Sequence, residues 1–306
     1  MPLLSHRIIS DPRECKQLWE VWSPKASLYD LWEYRQPFLD VYAFPLAFTV
    51  FSDGTDEIGM LPLWHDTTAN RYRWLGDVGD EFDWQEDTAF WVRDPSYVPA
   101  MLQTFAHPLS LTALTPVAAE QIGPLPGLIK IEAKSVLPLK NIHSVEDYLM
   151  QLPKKLRQNT RREWRRVTER NPELVRDDRS HFADLLRLNT ATFADSPFHD
   201  PRLCSVFSAI TRQQDPNTYQ VYFFTLKVDG MIVGVDCIFF WNHCYYPLLC
   251  GYDKTACPGI GYYMNLVDLE HALTLGAERM DFGEIERGTL KEKQFPLIDQ
   301  YRYATT

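Results

Sequence analysis

Hydrophobic residues recur at helical spacing in three successive segments of the second half of the chain. In the first segment they fall at i, i+4, i+8 and i+11, at Leu156, Thr160, Trp164 and Val167. This stripe, with charged residues around it, predicts an amphipathic helix that ends before Pro172. Two further helical faces follow, formed by Phe182, Leu185, Leu186 and Phe193, and then by Leu203, Val206, Phe207 and Ile210.

Strand patterns begin after these helices. Apolar-rich runs at 219–228, 231–241 and 244–252 are separated by Asp229-Gly230 and Asn242-His243, which are typical hairpin turns. We therefore predict an antiparallel meander. The segment 257–261 then opens a helix that runs through Leu275 and is closed by Gly276, before a short strand at 279–282.

Landmarks of this meander also occur in the first half of the chain. Four pairs correspond at an offset of 176 residues before the hairpin turn and 175 after it: Phe48-Thr49 with Phe224-Thr225, Asp53-Gly54 with Asp229-Gly230, Ile58-Gly59 with Val233-Gly234, and Gly76-Asp77 with Gly251 and nearby Asp253. Asp-Gly hairpins are common by chance, but a shared offset favours duplication. We predict two related domains, residues 1–140 and 141–306.

The two copies diverge after the third strand. The second copy has Gly259 and Gly261 before a helix, whereas the first has six acidic residues: Asp77, Asp80, Glu81, Asp83, Glu86 and Asp87. Backbone N–H groups at a helix N-terminus attract a phosphate, and carboxylates repel it. The first domain is therefore predicted to be degenerate, without a phosphate loop, and its acidic run to be a solvated loop or a contact for a cationic acceptor.

Charge and composition narrow the class of protein. Its 306 residues are 45% hydrophobic and 13% aromatic, with a net charge of -10. This is ordinary globular composition, and it provides no long-range attraction for nucleic acid or anionic lipid. One local exception exists: residues 154–170 hold eight Lys or Arg against only Glu163 and Glu169.

Cysteine spacing and hydropathy predict neither a metal site nor a membrane segment. The six cysteines form no CxxC or Cys/His metal spacing, and we find no signal peptide, so reduced thiols in the cytoplasm are expected. The longest uncharged stretch, 95–119, contains four prolines and polar residues. A spanning helix would need about 20 apolar residues.

The order of these motifs resembles the GNAT acyltransferase superfamily, specifically the double-domain branch with the Fem aminoacyl transferases and CelD-type acetyltransferase domains. The resemblance rests on the basic helix, Asp229-Gly230 with Val233-Gly234, Gly251-Tyr252-Asp253, Pro258-Gly259-Ile260-Gly261 and Asp281-Phe282-Gly283. It covers about 145–300 well, and 20–135 only through the repeat. It implies an α/β (α+β) fold of two tandem GNAT-like domains, each a mixed, largely antiparallel twisted sheet flanked by helices, with a splayed strand pair.

The resemblance also implies ligands. The family's pyrophosphate loop begins with Gln or Arg, and here Ala256 stands at that position while both glycines match. We assign donor binding to Gly259, Ile260, Gly261 and Tyr262. The co-substrate is expected to be acetyl-CoA or another acyl-CoA, or alternatively an aminoacyl-tRNA, with no metal.

Acyl transfer to an amine needs a base and a stabilised oxyanion. Asp236, Asp253, Asp281 and Glu284 are the carboxylate candidates. Asp281 and Glu284 are preferred, because Asp281 lies at the end of the short strand and Glu284 just beyond it, where a GNAT-like cleft would open. Family members carry a lysine shortly after that strand, and the spacing to Gly288 favours Lys293 over Lys291. Ordinary caps or ion pairs are the alternative roles.

Substrate contacts are assigned to Tyr252, Asp253, Arg161 and Arg165. The basic helix could bind phosphates of tRNA or CoA, or could be a solvated face that balances the acidic first half. We predict an acyltransferase that acts on a small amine or amino-acid-like acceptor in a cleft between the domains. The alternatives are a Fem-like aminoacyl-tRNA-dependent transferase and a non-catalytic binding module.

Overall fold

A computed structural model of the protein describes residues 4–79, 84–284 and 295–305. The chain forms two compact units. Unit 1 comprises Met1–Lys134 together with Ile298–Thr306, and unit 2 comprises Ser135–Leu297. The sequence predicts a single boundary, near residue 140. The chain instead crosses back to unit 1 at Ile298, because a strand near its C-terminus belongs to the first sheet.

Strands and helices are numbered along the chain. The strands are β1 Ser5–Ile9, β2 Leu46–Asp53, β3 Asp56–Asp66, β4 Arg71–Trp74, β5 Trp91–Val92, β6 Leu109–Leu114, β7 Leu128–Lys130, β8 Lys134–Pro138, β9 Glu173–Arg176, β10 Gln220–Val228, β11 Met231–Trp241, β12 Cys244–Tyr252, β13 Arg279–Glu284, β14 Leu297–Ile298 and β15 Tyr301–Ala304. The helices are α1 Pro12–Trp22, α2 Trp32–Tyr42, α3 Val98–Thr104, α4 Pro116–Ile122, α5 Val145–Gln151, α6 Lys154–Thr168, α7 Phe182–Thr192, α8 Pro201–Ile210 and α9 Ile260–Thr274.

Both sheets repeat one topology. The sheet of unit 1 has the order β1-β2-β3-β4-β6-β15-β7, with β5 paired to β3, and the sheet of unit 2 has the order β14-β8-β13-β12-β11-β10-β9. In each, an antiparallel meander is followed by one parallel strand: β4 pairs with β6, and β12 with β13. The predicted fold class, two mixed sheets flanked by helices, is confirmed.

The turns of the second meander have the backbone that their sequence predicts. Asp229 and Gly230 have φ of 53° and 76°, and Asn242 and His243 have φ of 46° and 55°. Two successive residues with positive φ are the mark of a two-residue type I′ hairpin, whose twist matches that of the flanking strands. The turns therefore fix the register in which β11 pairs with both neighbours.

The core of unit 2 forms where α6 and α9 cover one face of this meander. Val167 of α6 and Ile260 and Met264 of α9 are fully buried in it, beside Phe224 of β10. The opposite face is covered by α7, which packs on β11 and β12. This sandwich fixes the N-terminal end of α9 beside the C-terminal end of β12.

Candidate functional site

The parallel pair β12 and β13 is splayed. Its register joins only Cys244 with Arg279 and Tyr245 with Met280, at the start of both strands. Farther along, β12 continues to Tyr252 and β13 to Glu284 without further pairing of the two strands. The resulting opening lies at the strand ends, where the chain leaves β12 for the glycine loop and α9.

Unit 1 has the same splay, but its own chain fills it. The pair β4 and β6 is joined only at Tyr72 with Leu109 and Arg73 with Ser110. Beyond these residues Thr88 forms a parallel bridge with Leu114, donates its N–H to Ala113 O at 3.0 Å and accepts the N–H of Thr115 at 3.1 Å. Because β15 lies on the other edge of β6, Thr88 occupies the side of β6 that faces β4.

The acidic run of unit 1 is drawn inward rather than solvated. Asp77 accepts a hydrogen bond from Thr112 Oγ1, the buried Lys134 ammonium lies 2.6 Å from Asp87, and Gln300 donates to Glu86. The other three acidic residues, Asp80, Glu81 and Asp83, lie outside the described residues. The interpretation as a solvated loop therefore fails for the three described carboxylates, because each one has an internal partner.

Asp253 builds the loop that follows β12. Its Oδ1 accepts the N–H of Thr255 at 3.0 Å and of Ala256 at 2.7 Å, and its backbone carbonyl accepts the N–H of Cys257. An aspartate that bonds to backbone two and three residues ahead stabilises a turn. The side chain that we assigned to substrate contact is thus engaged in shaping the loop.

The fold requires glycine at only one of the two glycine positions of the loop. Gly259 has φ of 94°, and a Cβ on it would lie 2.8 Å from Glu163 Oε2 and 3.2 Å from Glu163 Cβ. Both its backbone conformation and its packing require glycine. Gly261 lies in the first turn of α9, and a Cβ on it would meet only Tyr252, at 4.0 Å. Nothing in the fold requires glycine at this second position.

The head of α9 offers free amide groups. The N–H groups of Tyr262 and Tyr263 donate to Gly259 O, at 3.0 and 3.2 Å. Those of Gly259 and Gly261 have no acceptor among the described residues. Unpaired amides at a helix N-terminus attract an anion. The fold does not require glycine at position 261, and the missing side chain lets an anion approach the backbone closely.

The side chains of the other two predicted donor-binding residues hold α9 in place. Ile260 is fully buried. Tyr262 Oη accepts a hydrogen bond from Asn159 Nδ2 of α6 at 2.8 Å. Only their backbone belongs to the head of the helix.

Tyr252 lies close to a buried carboxylate, that of Asp236, beneath the loop. Burial and then the charge of Asp236 raise the pKa of Tyr252 well above its ordinary value. Asp236 is 1% exposed and lies opposite Cys250 in the register of β11 and β12. We therefore expect Tyr252 to remain protonated and its ring to support the loop.

The predicted catalytic carboxylates differ in exposure. Asp281 is 1% exposed, and its Oδ1 accepts the N–H of Gly283 at 3.0 Å. Glu284, the last residue of β13, is exposed. Lys293 lies outside the described residues, as do Lys291 and Gly288.

The predicted substrate contacts of α6, Arg161 and Arg165, have no hydrogen bond to the loop among the described residues. Arg161 is paired with Glu146, and the exposed Arg165 side chain forms no hydrogen bond or ion pair there. Arg170 instead donates to the Ala256 carbonyl. The sequence does contain a pattern that groups Arg162, Arg166 and Arg170: they are spaced at i, i+4 and i+8, and such residues share one helical face.

The described part of the chain contains no cluster of three or more His, Cys, Asp or Glu that could hold a metal ion. None of its helices is long and apolar enough to cross a membrane.

Comparison with known proteins agrees with this geometry. Residues 154–294 match a family model described as an acetyltransferase (GNAT) domain. No curated protein sequence matches the chain significantly.

Three solved structures are similar to nearly the whole chain in fold. FemX has a TM-score of 0.58 at 11% identity over 98% of this chain and 97% of its own. L-PGS from Bacillus licheniformis has a TM-score of 0.56 at 13% identity over 96% and 92%. A tandem GNAT protein from the clavulanic acid biosynthesis pathway has a TM-score of 0.51 at 12% identity over 99% and 98%.

Residues 154–294 therefore carry a GNAT-type acetyltransferase domain, and the chain as a whole has a fold similar to those of FemX and of a tandem GNAT protein.

Proposed function

We propose that unit 2 transfers an acyl group from a CoA-type thioester to the amine of a small, amino-acid-like acceptor. The GNAT domain and fold support acyl transfer as the general reaction. The observation that carries the proposal is Gly261, a helical glycine with room for a side chain, beside two unpaired amides and an open strand pair. A diphosphate at these amides would direct the rest of the donor into the splay between β12 and β13.

The chemistry requires one proton acceptor. The acceptor amine attacks the thioester carbonyl, the C–N bond forms, and the tetrahedral oxyanion collapses with loss of the thiolate, which takes up a proton. A base must remove a proton from the attacking nitrogen. We assign this role to Glu284, because it is exposed at the end of β13, whereas Asp281 is buried and bonded to Gly283.

Glutamine at Glu284 is expected to lower kcat and to make the acid limb of the pH profile less steep. In the wild type, kcat/KM should fall at low pH as both the carboxylate and the acceptor amine become protonated, whereas in the variant only the amine can titrate. Glu278→Gln is the matched control, since Glu278 is also exposed and precedes β13. A variant profile with the same acid limb would exclude Glu284 as the base.

The donor assay tests the proposal directly. The purified protein is incubated with a panel of amino acids and either acetyl-CoA or charged tRNA, with and without ribonuclease, and acylated products are identified by mass spectrometry. We expect ribonuclease-insensitive product with acetyl-CoA. Absence of product with both donors would favour a binding module instead.

A Fem-like aminoacyl-tRNA donor is the second candidate, because α6 also presents exposed cations away from the loop. Lys154, Lys155 and Arg165 are exposed, and their side chains form no hydrogen bond or ion pair among the described residues. Contact with several phosphates would give log affinity a steep dependence on log salt, which CoA would not. Ribonuclease-sensitive product, with a salt slope of several units, would replace the first proposal by this one.

A further inference from the structure

A ladder of three arginines follows the side of α6 nearest the glycine loop. Arg162 and Arg166 are four residues apart, and Arg170 follows four residues later, just beyond the helix end. Arg170 donates to the Ala256 carbonyl. Burial raises the pKa of the nearby Cys257 thiol, while the charges of Arg170 and then Arg166 lower it. Arg166 and Arg170 therefore lie within electrostatic reach of the loop.

One carboxylate lies between this ladder and the head of α9. Glu163 Oε1 accepts from Arg162 Nε at 3.0 Å and from its Nη2 at 2.8 Å, and Oε2 lies 3.5 Å from Arg166 Nη1. The Glu163 side chain is only 11% exposed. The same Oε2 lies 2.8 Å from where Gly259 would carry a Cβ.

The surroundings of Glu163 are those of a bound anion. It has two guanidinium partners, and it lies next to the positive end of the α9 dipole. Both arginines are otherwise accessible, because their side chains are 71% and 58% exposed. An anion bound at the free amides of Gly259 and Gly261 would be repelled by the negative charge of Glu163. It could pair fully with either arginine only if that arginine left Glu163.

We propose that Glu163 is a resting counter-ion, and that a diphosphate at the glycine loop takes over Arg162 and Arg166 from it. This inference rests on the proposed function, which places the donor's phosphates at the loop. The diphosphate would then bind backbone amides of the loop on one element and arginine side chains of α6 on another. Ala256 stands where the family pattern has Gln or Arg, and the ladder supplies a positive charge from a different element.

The test is titration calorimetry of the full-length protein with inorganic pyrophosphate at low ionic strength. Glu163→Gln keeps the size of the side chain and removes its charge, so affinity should rise about fivefold. Arg166→Ala should lower affinity about tenfold. Arg165→Ala removes the same charge from the same helix, about 100° around its axis from Arg166, and should change affinity less than about twofold.

These measurements decide whether Glu163 acts as a resting counter-ion. Unchanged or weaker binding by a Glu163→Gln variant with wild-type melting would overturn it, as would equal losses in the Arg165 and Arg166 variants. If Glu163→Gln does not fold, Arg162→Ala replaces it, and unchanged affinity in that variant counts against the site. Wild-type acyl transfer without these binding effects would defeat this inference alone, whereas the binding effects without acyl product would defeat only the proposed function.

Discussion

Aspartate in place of Gly261 is expected to weaken donor binding by at least about 100-fold while the protein remains folded. An added carboxylate would stand at the free amides of the loop and repel the diphosphate of the donor. The fold should tolerate it, because a Cβ at this position has 4.0 Å of clearance. A negative charge in the first turn of α9 also interacts favourably with the helix dipole and so stabilises the helix.

The matched control is asparagine at the same position, which has nearly the same shape without the charge. We expect it to weaken binding about tenfold, through the loss of close backbone approach alone. Affinity for the donor identified in the product assay is measured by calorimetry, and folding by thermal melting. Equal affinities of the aspartate variant and the wild type would place the phosphates elsewhere. Gly259 cannot serve in this test, because any side chain there collides with Glu163.

Alanine in place of Gly251 is expected to lower the free energy of unfolding by about 3 kcal/mol. A Cβ there would overlap the Leu185 carbonyl oxygen and lie 2.9 Å from Leu188 Cβ. The α7 backbone cannot move away easily, since Asn189 Nδ2 donates to Cys250 O at 2.7 Å and Thr192 Oγ1 donates to Tyr252 O at 2.6 Å. Urea denaturation measures the change.

Gly261→Ala is the control for this second prediction. It introduces the same methyl group ten residues later, where there is space, and alanine is the better helix former by about 1 kcal/mol. Its unfolding midpoint should equal or exceed that of the wild type. If the Gly251 variant were as stable as the Gly261 variant, α7 would have to pack less closely on β12 than described.

Local patterns were sufficient to predict the meander and the long helices of unit 2. Each hairpin is determined by adjacent residues, and α6 begins at Lys154 and ends at Thr168, inside the predicted range. The strands β8 and β15 could not be predicted in the same way. Each is short and pairs with residues distant along the chain, so no local periodicity marks it.

The candidate site shows the same limit. The sequence contains Gly259 and Gly261 as equivalent members of one motif. In the structure Glu163 packs against the first glycine, whereas the second has space for a side chain. Likewise, Asp253 could be a ligand or a turn residue until its bonds to Thr255 and Ala256 are known. Contacts of this kind form between residues distant along the chain or depend on backbone geometry, so the spacing of residues in the sequence does not predict them.

The return of the chain to unit 1 determines the order in which a ribosome can complete the two sheets. Residues 135–297 form one continuous stretch, so unit 2 can fold once they have emerged. The sheet of unit 1 must wait for β15, which lies between β6 and β7 and pairs with both. Until then both strands expose open edges, which is the state in which a nascent chain is most prone to pair with others. The half of the protein that is synthesised first is therefore the half that finishes folding last.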